Sequence, residues 1–304
     1  MLPFARVSVI GLGLIGSSIV RAVRETMPTV ALSGHDADPA VRARVVELGL
    51  VDDLADTAGA AVTDADLVIL CVPPGAIGAV AREIAADVAA DAVVSDVGSS
   101  KAAVLAALLD ALPGRHIVPA HPVAGTEHSG PDAGFASLFQ GRWCILTPPD
   151  GADPIAVERV TEFWRRLGSD IELMDAAHHD RVLAITSHLP HLIAYTIVGT
   201  ASDMEEVTRS EVIKFSAGGF RDFTRIAASD PSMWRDVFLA NREAVLEILG
   251  RFTEDLQALS RAIRWGEGDK LFELFTRTRG IRRSVIDAGQ ETPEPDFGRH
   301  HEDG

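Results

Sequence analysis

The sequence predicts an α/β fold in two parts: a doubly wound, mostly parallel sheet with helices on both faces, followed by an all-α region. Three observations predict it. Near the N-terminus a glycine run joins an apolar strand directly to an apolar helix. Short apolar runs then alternate with helical patterns as far as Met174. From Asp175 to Asp287 nothing reads as a strand, and three long helical stretches dominate.

The first strand is Val7-Ser8-Val9-Ile10, and Gly11, Gly13 and Gly16 sit where it turns into the helix. In such a turn the first glycine makes the tight bend, the second lets a pyrophosphate approach the backbone, and the third lets helix and strand pack closely. The pyrophosphate then rests on the free N–H groups and positive dipole end of the helix that starts near Leu14 and Ile15. An acidic residue, Asp36, follows twenty positions after Gly16, at the end of a second strand running from Val30 to His35. This is the Rossmann-type arrangement, in which such a carboxylate accepts hydrogen bonds from the adenosine ribose hydroxyls. A 2′-phosphate there would meet a like charge, and no Arg or Lys lies between Asp36 and Pro39 to offset it. NAD is therefore expected in preference to NADP. Asp38-Pro39 supplies the next helix with a cap and a first-turn proline.

Further strand-like runs are Leu67–Val72, Ala92–Val97, His116–Pro119, Trp143–Thr147 and Asp170–Met174. Helical patterns separate most of them: Val41–Leu48, Ala76–Val88, Lys101–Leu112, and Pro154–Leu167 after the cap Asp153. Ligands of such sheets bind at the carboxyl ends of the strands. Chemistry is therefore expected just after Val72, Val97 and Pro119, with Val72 and Pro73 in the cofactor set.

The first helical stretch of the second part, Ala176 to Ala201, is apolar almost all round, through Val182, Leu183, Ile185, Leu189, Leu192, Ile193, Ile197 and Val198. A helix without a polar face needs burial on every side, and a partner subunit is the expected cover. Pro190 is expected to kink it. The next stretch runs from Ser232 towards Trp265, opened by Ser229-Asp230-Pro231, with a break expected at Gly250. The expected division is a dinucleotide-binding domain over 1–174, a helical substrate and dimerisation domain over 175–289, and a disordered tail over 290–304, where the His300-His301 pair is read as part of that tail and not as a metal site.

Composition narrows the function. The net charge of −16 argues against nucleic acid and anionic membrane surfaces as partners. It also requires a local basic site for any anionic substrate. Cys71 and Cys144 have no metal or redox spacing and read as small core residues of a reduced, cytoplasmic protein. No signal peptide is expected, and no apolar run reads as long enough for a membrane span.

At the carboxyl edge of the sheet, Asp96-Val97-Gly98-Ser99-Ser100-Lys101 follows one strand, and His121-Pro122-Val123-Ala124-Gly125-Thr126-Glu127-His128-Ser129-Gly130 follows another. Further along come Ser187-His188-Leu189-Pro190-His191 and Gly218-Gly219-Phe220-Arg221-Asp222-Phe223-Thr224-Arg225. Together with the glycine run, this ordered set resembles the prephenate/arogenate dehydrogenase family of tyrosine biosynthesis, over about residues 6–287. The stretch through Gly130–Phe135 and Arg142-Trp143-Cys144 looks most like the broad-specificity cyclohexadienyl dehydrogenases.

The resemblance implies a reaction and a set of roles. Hydride leaves ring carbon C4 of the substrate for the nicotinamide, the C4 hydroxyl proton goes to a base, and carbon dioxide departs as the ring becomes aromatic. His121 matches the family's catalytic histidine, and a neutral imidazole suits that proton. Ser99 matches the serine that orients the histidine and the substrate hydroxyl beside the nicotinamide, although the adjacent Ser100 leaves the register open by one. His191 is expected across the cleft, with Gly125 and Thr126 also touching substrate. Arg225 is the expected anion anchor, because a guanidinium can hold a carboxylate bidentately; which carboxylate it holds stays open. Glu127, Arg221, Asp222 and Arg225 are read as an ionic cluster at the cleft mouth. His178 and His179 are read as surface or interface groups. No metal is expected, since hydride transfer to NAD needs none and no carboxylate is suitably spaced beside His188 and His191. Prephenate and arogenate are not distinguished, nor is feedback by tyrosine.

Two other classes compete. A 3-hydroxyacid dehydrogenase of the same two-domain architecture would account for the nucleotide site and the helical half, but not for the His121 and Arg225 segments. A nucleotide-sensing module would account for the glycine run alone.

Overall fold

The computed structural model describes residues 2–126, 128–203 and 218–287. The chain divides into two compact units: one of residues 1–193 with 226–245, the other of 194–225 with 246–304. The expected tail from 290, with His300 and His301, and Glu127 of the expected ionic cluster lie outside the described residues.

The first unit is built on six parallel strands: β1 (Arg6–Ile10), β2 (Ala31–His35), β3 (Asp53–Leu54), β4 (Leu67–Leu70), β5 (Val93–Asp96) and β6 (His116–Ile117), in the order β3-β2-β1-β4-β5-β6. The chain winds outward from β1 to β3, returns to β4 on the other side of β1, and winds outward again. The topological switch point therefore falls between β1 and β4, where such sheets bind ligands. Residues alternate between the two faces of each strand. Val7, Val9, Leu67 and Ile69 pack into one core with Ile19, Val23, Phe163 and Trp164, while Ile10, Val68 and Leu70 pack into the other with Ile77, Ile84 and Leu108. Both faces are covered, as the near-continuous apolar runs require.

The helices of this part are α1 (Leu14–Thr26), α2 (Pro39–Leu48), α3 (Ala58–Val62), α4 (Pro74–Ile84), α5 (Ala102–Ala111) and α6 (Pro154–Arg166). The expected caps form: Asp38 accepts from the Ala40 N–H ahead of α2, and Asp153 from the Ile155 N–H ahead of α6. β3 and α3 are too short to show a period and went unread in the sequence.

The later strands depart from the expected parallel series. β7 (Ala120–Pro122), β8 (Trp143–Leu146) and β9 (Asp170–Leu173) form a separate three-stranded sheet in which β7 and β8 are antiparallel, with His121 opposite Ile145. Only Val118 and Pro119 lie between β6 and β7, too few for the crossover that a parallel neighbour needs, and β7 takes its partner 20 residues further on, in β8.

Beyond β9 the described residues are helical. α7 (Ala176–Leu183) runs through a π turn (Ala184–His188) into α8 (Leu189–Asp203). The irregularity falls just before Pro190, which has no N–H for the carbonyl four residues back and whose ring crowds that carbonyl. The 28 residues Ala176–Asp203 are long and apolar enough to cross a membrane by length and composition, which corrects the expectation that no apolar run is. α9 (Gly218–Thr224) and a short 3-10 turn (Arg225–Ala228) follow, then α10 (Pro231–Ala240), α11 (Arg242–Arg264) and α12 (Gly268–Asp287). The break between α10 and α11 falls at Asn241, not at Gly250. An isolated glycine lowers helix stability by about 1 kcal/mol without ending the helix, whereas the buried Asn241 side chain makes tertiary hydrogen bonds that hold the chain at this point.

Candidate active site

The glycine turn sits at the switch point. Gly11 has φ +94°, and a Cβ there would lie 2.5 Å from the Cys71 carbonyl oxygen just past β4. Its N–H donates to the His35 carbonyl at 2.8 Å. Gly16 meets the same turn from the helix side, where a Cβ would lie 2.0 Å from the Gly11 oxygen. Gly13 is different: nothing lies within 4 Å of a Cβ built on it. The open space lies over the first turn of α1, where Leu14 and Ile15 are half-buried and the first N–H groups of a helix lack intrahelical acceptors. Asp36, one residue past β2, accepts from the Leu12 N–H at 2.8 Å and from the Asp38 N–H at 2.9 Å. Its carboxylate is thereby fixed beside the glycine turn. Val72 (half-buried) and Pro73 (exposed) follow β4 on the other side of the crevice. An open glycine, free helix amides and a carboxylate at the end of β2 fit a dinucleotide with an unsubstituted ribose.

Past β5 the chain is held by a sealed ion pair. Lys101 Nζ lies 2.5 Å from Asp96 Oδ2 and also donates to the Ala120 carbonyl at 2.8 Å, and both side chains are fully buried. Asp96 Oδ2 takes the Gly98 N–H as well. Burial pushes the Lys101 ammonium down and the Asp96 carboxyl up, and their contact opposes both shifts. The pair ties the end of β5 to the residue before His121. Within the loop it fixes, Ser99 is half-buried, while Ser100 is fully buried with its hydroxyl unpartnered.

His121, in β7, is 6% exposed. Its Nδ1 lies 2.8 Å from His179 Nε2, and His179 Nδ1 lies 2.9 Å from Asp180 Oδ1. Asp180 also receives the backbone N–H groups of Lys101 (2.7 Å) and Ala102 (2.9 Å), so it caps α5 from outside. His179 is thus no surface group: it is fully buried, because the opening turn of α7 packs on the start of α5. Burial holds the His121 imidazole well below its ordinary range, helped by His179, Lys101 and His188. His121 is neutral at neutral pH, as a proton acceptor must be.

The other two histidines border this group. Asn241 Nδ2 donates to the Asp180 carbonyl at 2.8 Å and meets His188 Nδ1 at 3.0 Å. Burial brings His188 down to about 4. His191 stacks on Trp234 at 3.6 Å between centroids and donates from Nδ1 to the Ser187 carbonyl at 2.9 Å. Gly125 and Thr126 are exposed in the loop after β7, and the Thr126 hydroxyl takes the His128 N–H at 3.3 Å. Among the described residues no group of three His, Cys, Asp or Glu side chains could hold a metal ion.

The structure therefore brings Ser99, His121 and His191 into one unit. Arg225 belongs to the other, where it is exposed at the start of its 3-10 turn; Arg221 and Asp222 pair there at 3.6 Å. Sequence reasoning missed His179, Asp180, Lys101, Trp234 and Asn241. The His-Asp dipeptide just past a helix cap was a visible signal, but nothing in it pointed 58 residues back to His121.

Comparison with known proteins places this geometry. Residues 19–173 match the family model for the prephenate dehydrogenase nucleotide-binding domain, and residues 175–277 that for the prephenate dehydrogenase dimerization domain. The chain is 46% identical over 285 residues to a cyclohexadienyl dehydrogenase of Zymomonas mobilis, covering 94% of this chain and 97% of that protein. It is 32% identical to a prephenate dehydrogenase of Bacillus subtilis, covering 90% and 74%. Among solved structures, the prephenate dehydrogenase of Aquifex aeolicus in complex with hydroxyphenyl propionate and NAD+ superposes with a TM-score of 0.86 at 31% identity, covering 94% of this chain and 98% of that one. With both family domains matched in order over residues 19–173 and 175–277, the chain belongs to the prephenate dehydrogenase family.

Proposed function

We propose that the chain is an NAD-dependent dehydrogenase that oxidatively decarboxylates prephenate, arogenate or both. The observation that carries this reading is His121: a buried, neutral imidazole in the unit that also holds the nucleotide crevice, with Nδ1 engaged by His179 and Nε2 left for a ligand. The names of the Z. mobilis and B. subtilis relatives support the substrate class.

Bound NAD supplies the acceptor for the C4 hydride. The residues do the rest. Gly13 keeps the backbone open to the pyrophosphate while Gly11 and Gly16 let the turn and α1 pack closely, the Leu14 and Ile15 amides face the pyrophosphate, and Asp36 takes the ribose hydroxyls. Val72 and Pro73 wall the opposite side of the crevice. His121 Nε2 takes the C4 hydroxyl proton as the hydride leaves, and returns it to the phenolate oxygen once the electrons of the breaking ring–carboxylate bond have entered the ring. Ser99 orients that hydroxyl; Ser100 is sealed away and serves the loop. His191, held flat against Trp234, binds the substrate side chain, and Gly125 and Thr126 touch the substrate from the loop after β7. Arg225 anchors a carboxylate.

The division at residue 174/175 belongs to the same reading, with the helical part serving substrate binding and dimerisation. Ile197, Leu246, Leu256, Ile263, Trp265 and Phe272 of the second unit are exposed large apolar groups, and a second copy of the chain would cover them. The middle of the long apolar helix buries His188 against Asn241 inside the protein, which supports a cytoplasmic dimer and not a membrane span. The test is a pair of steady-state assays of NAD reduction, one with prephenate and one with arogenate. No NADH with either would overturn the reading.

A further inference from the structure

His121 can act as a base only through a nitrogen that carries a lone pair, and imidazole has two tautomers. The contacts around the ring decide between them. Asp180 is the fixed end of the chain. Its two carboxylate oxygens accept the Lys101 and Ala102 N–H groups, so Oδ1 faces His179 Nδ1 as an acceptor. His179 therefore carries its proton on Nδ1 and presents a bare Nε2. At 2.8 Å from that nitrogen, His121 Nδ1 must be the donor, and the His121 lone pair lies on Nε2.

We propose that His179 and Asp180 are positioning residues that lock His121 in the Nδ1–H tautomer and so keep the Nε2 lone pair aimed at the substrate proton. The inference rests on His121 being the base of the reading above. One proton moves, from the substrate hydroxyl to His121 Nε2 and then back to the phenolic oxygen of the product; His121 Nδ1–H and His179 Nδ1–H stay where they are. The logic is that of a buried carboxylate holding a catalytic imidazole, with a second imidazole inserted between them.

The surroundings support a dedicated arrangement. The groups around the two rings are Lys101 at the start of α5, Asp96 at the end of β5, Cys144 on β8, and His188 with Asn241 beyond Asp180. Lys101 is paired with Asp96 at 2.5 Å, and Asp180 is the carboxyl bonded to the histidine pair. Asp180 also caps α5, the helix that follows Ser99, so one side chain fixes the base and the loop that carries the serine.

The test compares His179→Phe with His179→Gln in the full-length chain. Phenylalanine keeps the ring volume and breaks both hydrogen bonds. Glutamine can rebuild them, its carbonyl accepting from His121 and its amide donating to Asp180. His179→Phe should lower kcat by about 10²–10⁴-fold, the range set by loss of tautomer control and base catalysis. KM and the Kd for NAD should stay within about threefold, and His179→Gln should recover most of the lost kcat. A second readout needs no turnover. In protein labelled with 15N-histidine, with the His121 signal among ten histidines assigned by its disappearance in His121→Asn, the wild-type ring should be the Nδ1–H tautomer and the His179→Phe ring the Nε2–H tautomer. A wild-type His121 protonated at Nε2, a His179→Phe kcat within threefold of wild type, or a His179→Gln variant as slow as His179→Phe would each overturn the proposal. Should His179→Phe fail to fold, the wild-type tautomer and the glutamine variant still decide. Absence of turnover by the wild-type chain with both substrates would refute the functional reading alone.

Discussion

Of the three glycines in the turn, two are demanded by the fold and one by the ligand, and alanine substitution should separate them. At Gly16 an added Cβ would stand 2.0 Å from the Gly11 oxygen and 3.1 Å from Val9 Cγ1. The first distance is at least 1 Å short of any tolerable contact, and the atom met is backbone, so α1 must back away from β1. Overpacking of this kind costs about 1–3 kcal/mol and occasionally more; with no flexible neighbour to yield, Gly16→Ala should reach the upper end. At about 2–4 °C per kcal/mol for a chain of this size, the apo protein should melt roughly 6–12 °C lower. Gly13→Ala should leave the apo protein within about 2 °C, since no atom lies within 4 Å of the new Cβ and the backbone there is extended. Its effect should appear with NAD. Ligand at 100 times Kd stabilises the folded state by about 2.7 kcal/mol, and a hundredfold weaker Kd at the same concentration leaves only about 0.4 kcal/mol. Scanning fluorimetry with and without NAD reads both quantities. An undiminished NAD-induced shift in Gly13→Ala would refute the placement of the pyrophosphate over Gly13, and an unchanged apo melt in Gly16→Ala would refute the packing argument.

Four further outcomes are expected. His121→Asn should lower kcat by about two to four orders of magnitude with NAD affinity nearly intact, and near-normal turnover would remove His121 from the base role. Arg225→Ala should raise KM for the substrate by about 30- to several-thousand-fold if substrate binding desolvates the pair, since truncating one partner of a desolvated charge pair costs about 2–5 kcal/mol; Arg225→Lys should recover only part of it, and an unchanged KM would move the anchor to another residue, Arg221 first. The stability of the chain should fall on acidification. His188 sits at about 4 in the folded state against 6.5 when free, so between these values the unfolded chain binds more protons. The stabilisation is whole above pH 6.5 and is lost as pH falls towards 4. His188 alone accounts for about 3 kcal/mol, His121 and His179 shift the same way, and a urea midpoint equal at pH 7.5 and 4.5 would contradict the assignment. In sedimentation at micromolar concentration the chain should run as a dimer, and a monodisperse monomer would leave the apolar surface of the second unit unexplained.

What the sequence determined by itself is what local periodicity and turn chemistry carry. The glycine turn, Asp36 at the end of β2, the caps Asp38, Asp153 and Asp230, and the change from alternation to pure helix at residue 175 all involve residues close in the chain. Each is a constraint on a few neighbouring φ and ψ angles or on one face of one element, so one sequence is enough to read it. The tertiary structure decided the rest. It paired β7 antiparallel with β8 in a separate sheet, across a 20-residue connection that carries no period. It placed the helix break at Asn241, whose side chain bonds Asp180 and His188, instead of at Gly250, which meets no neighbour. It buried Lys101 on Asp96 and turned His179 from a presumed surface group into the partner of His121. These pairings are set by which elements pack together, and a hydrogen bond across 58 residues leaves no period in the sequence that would announce it.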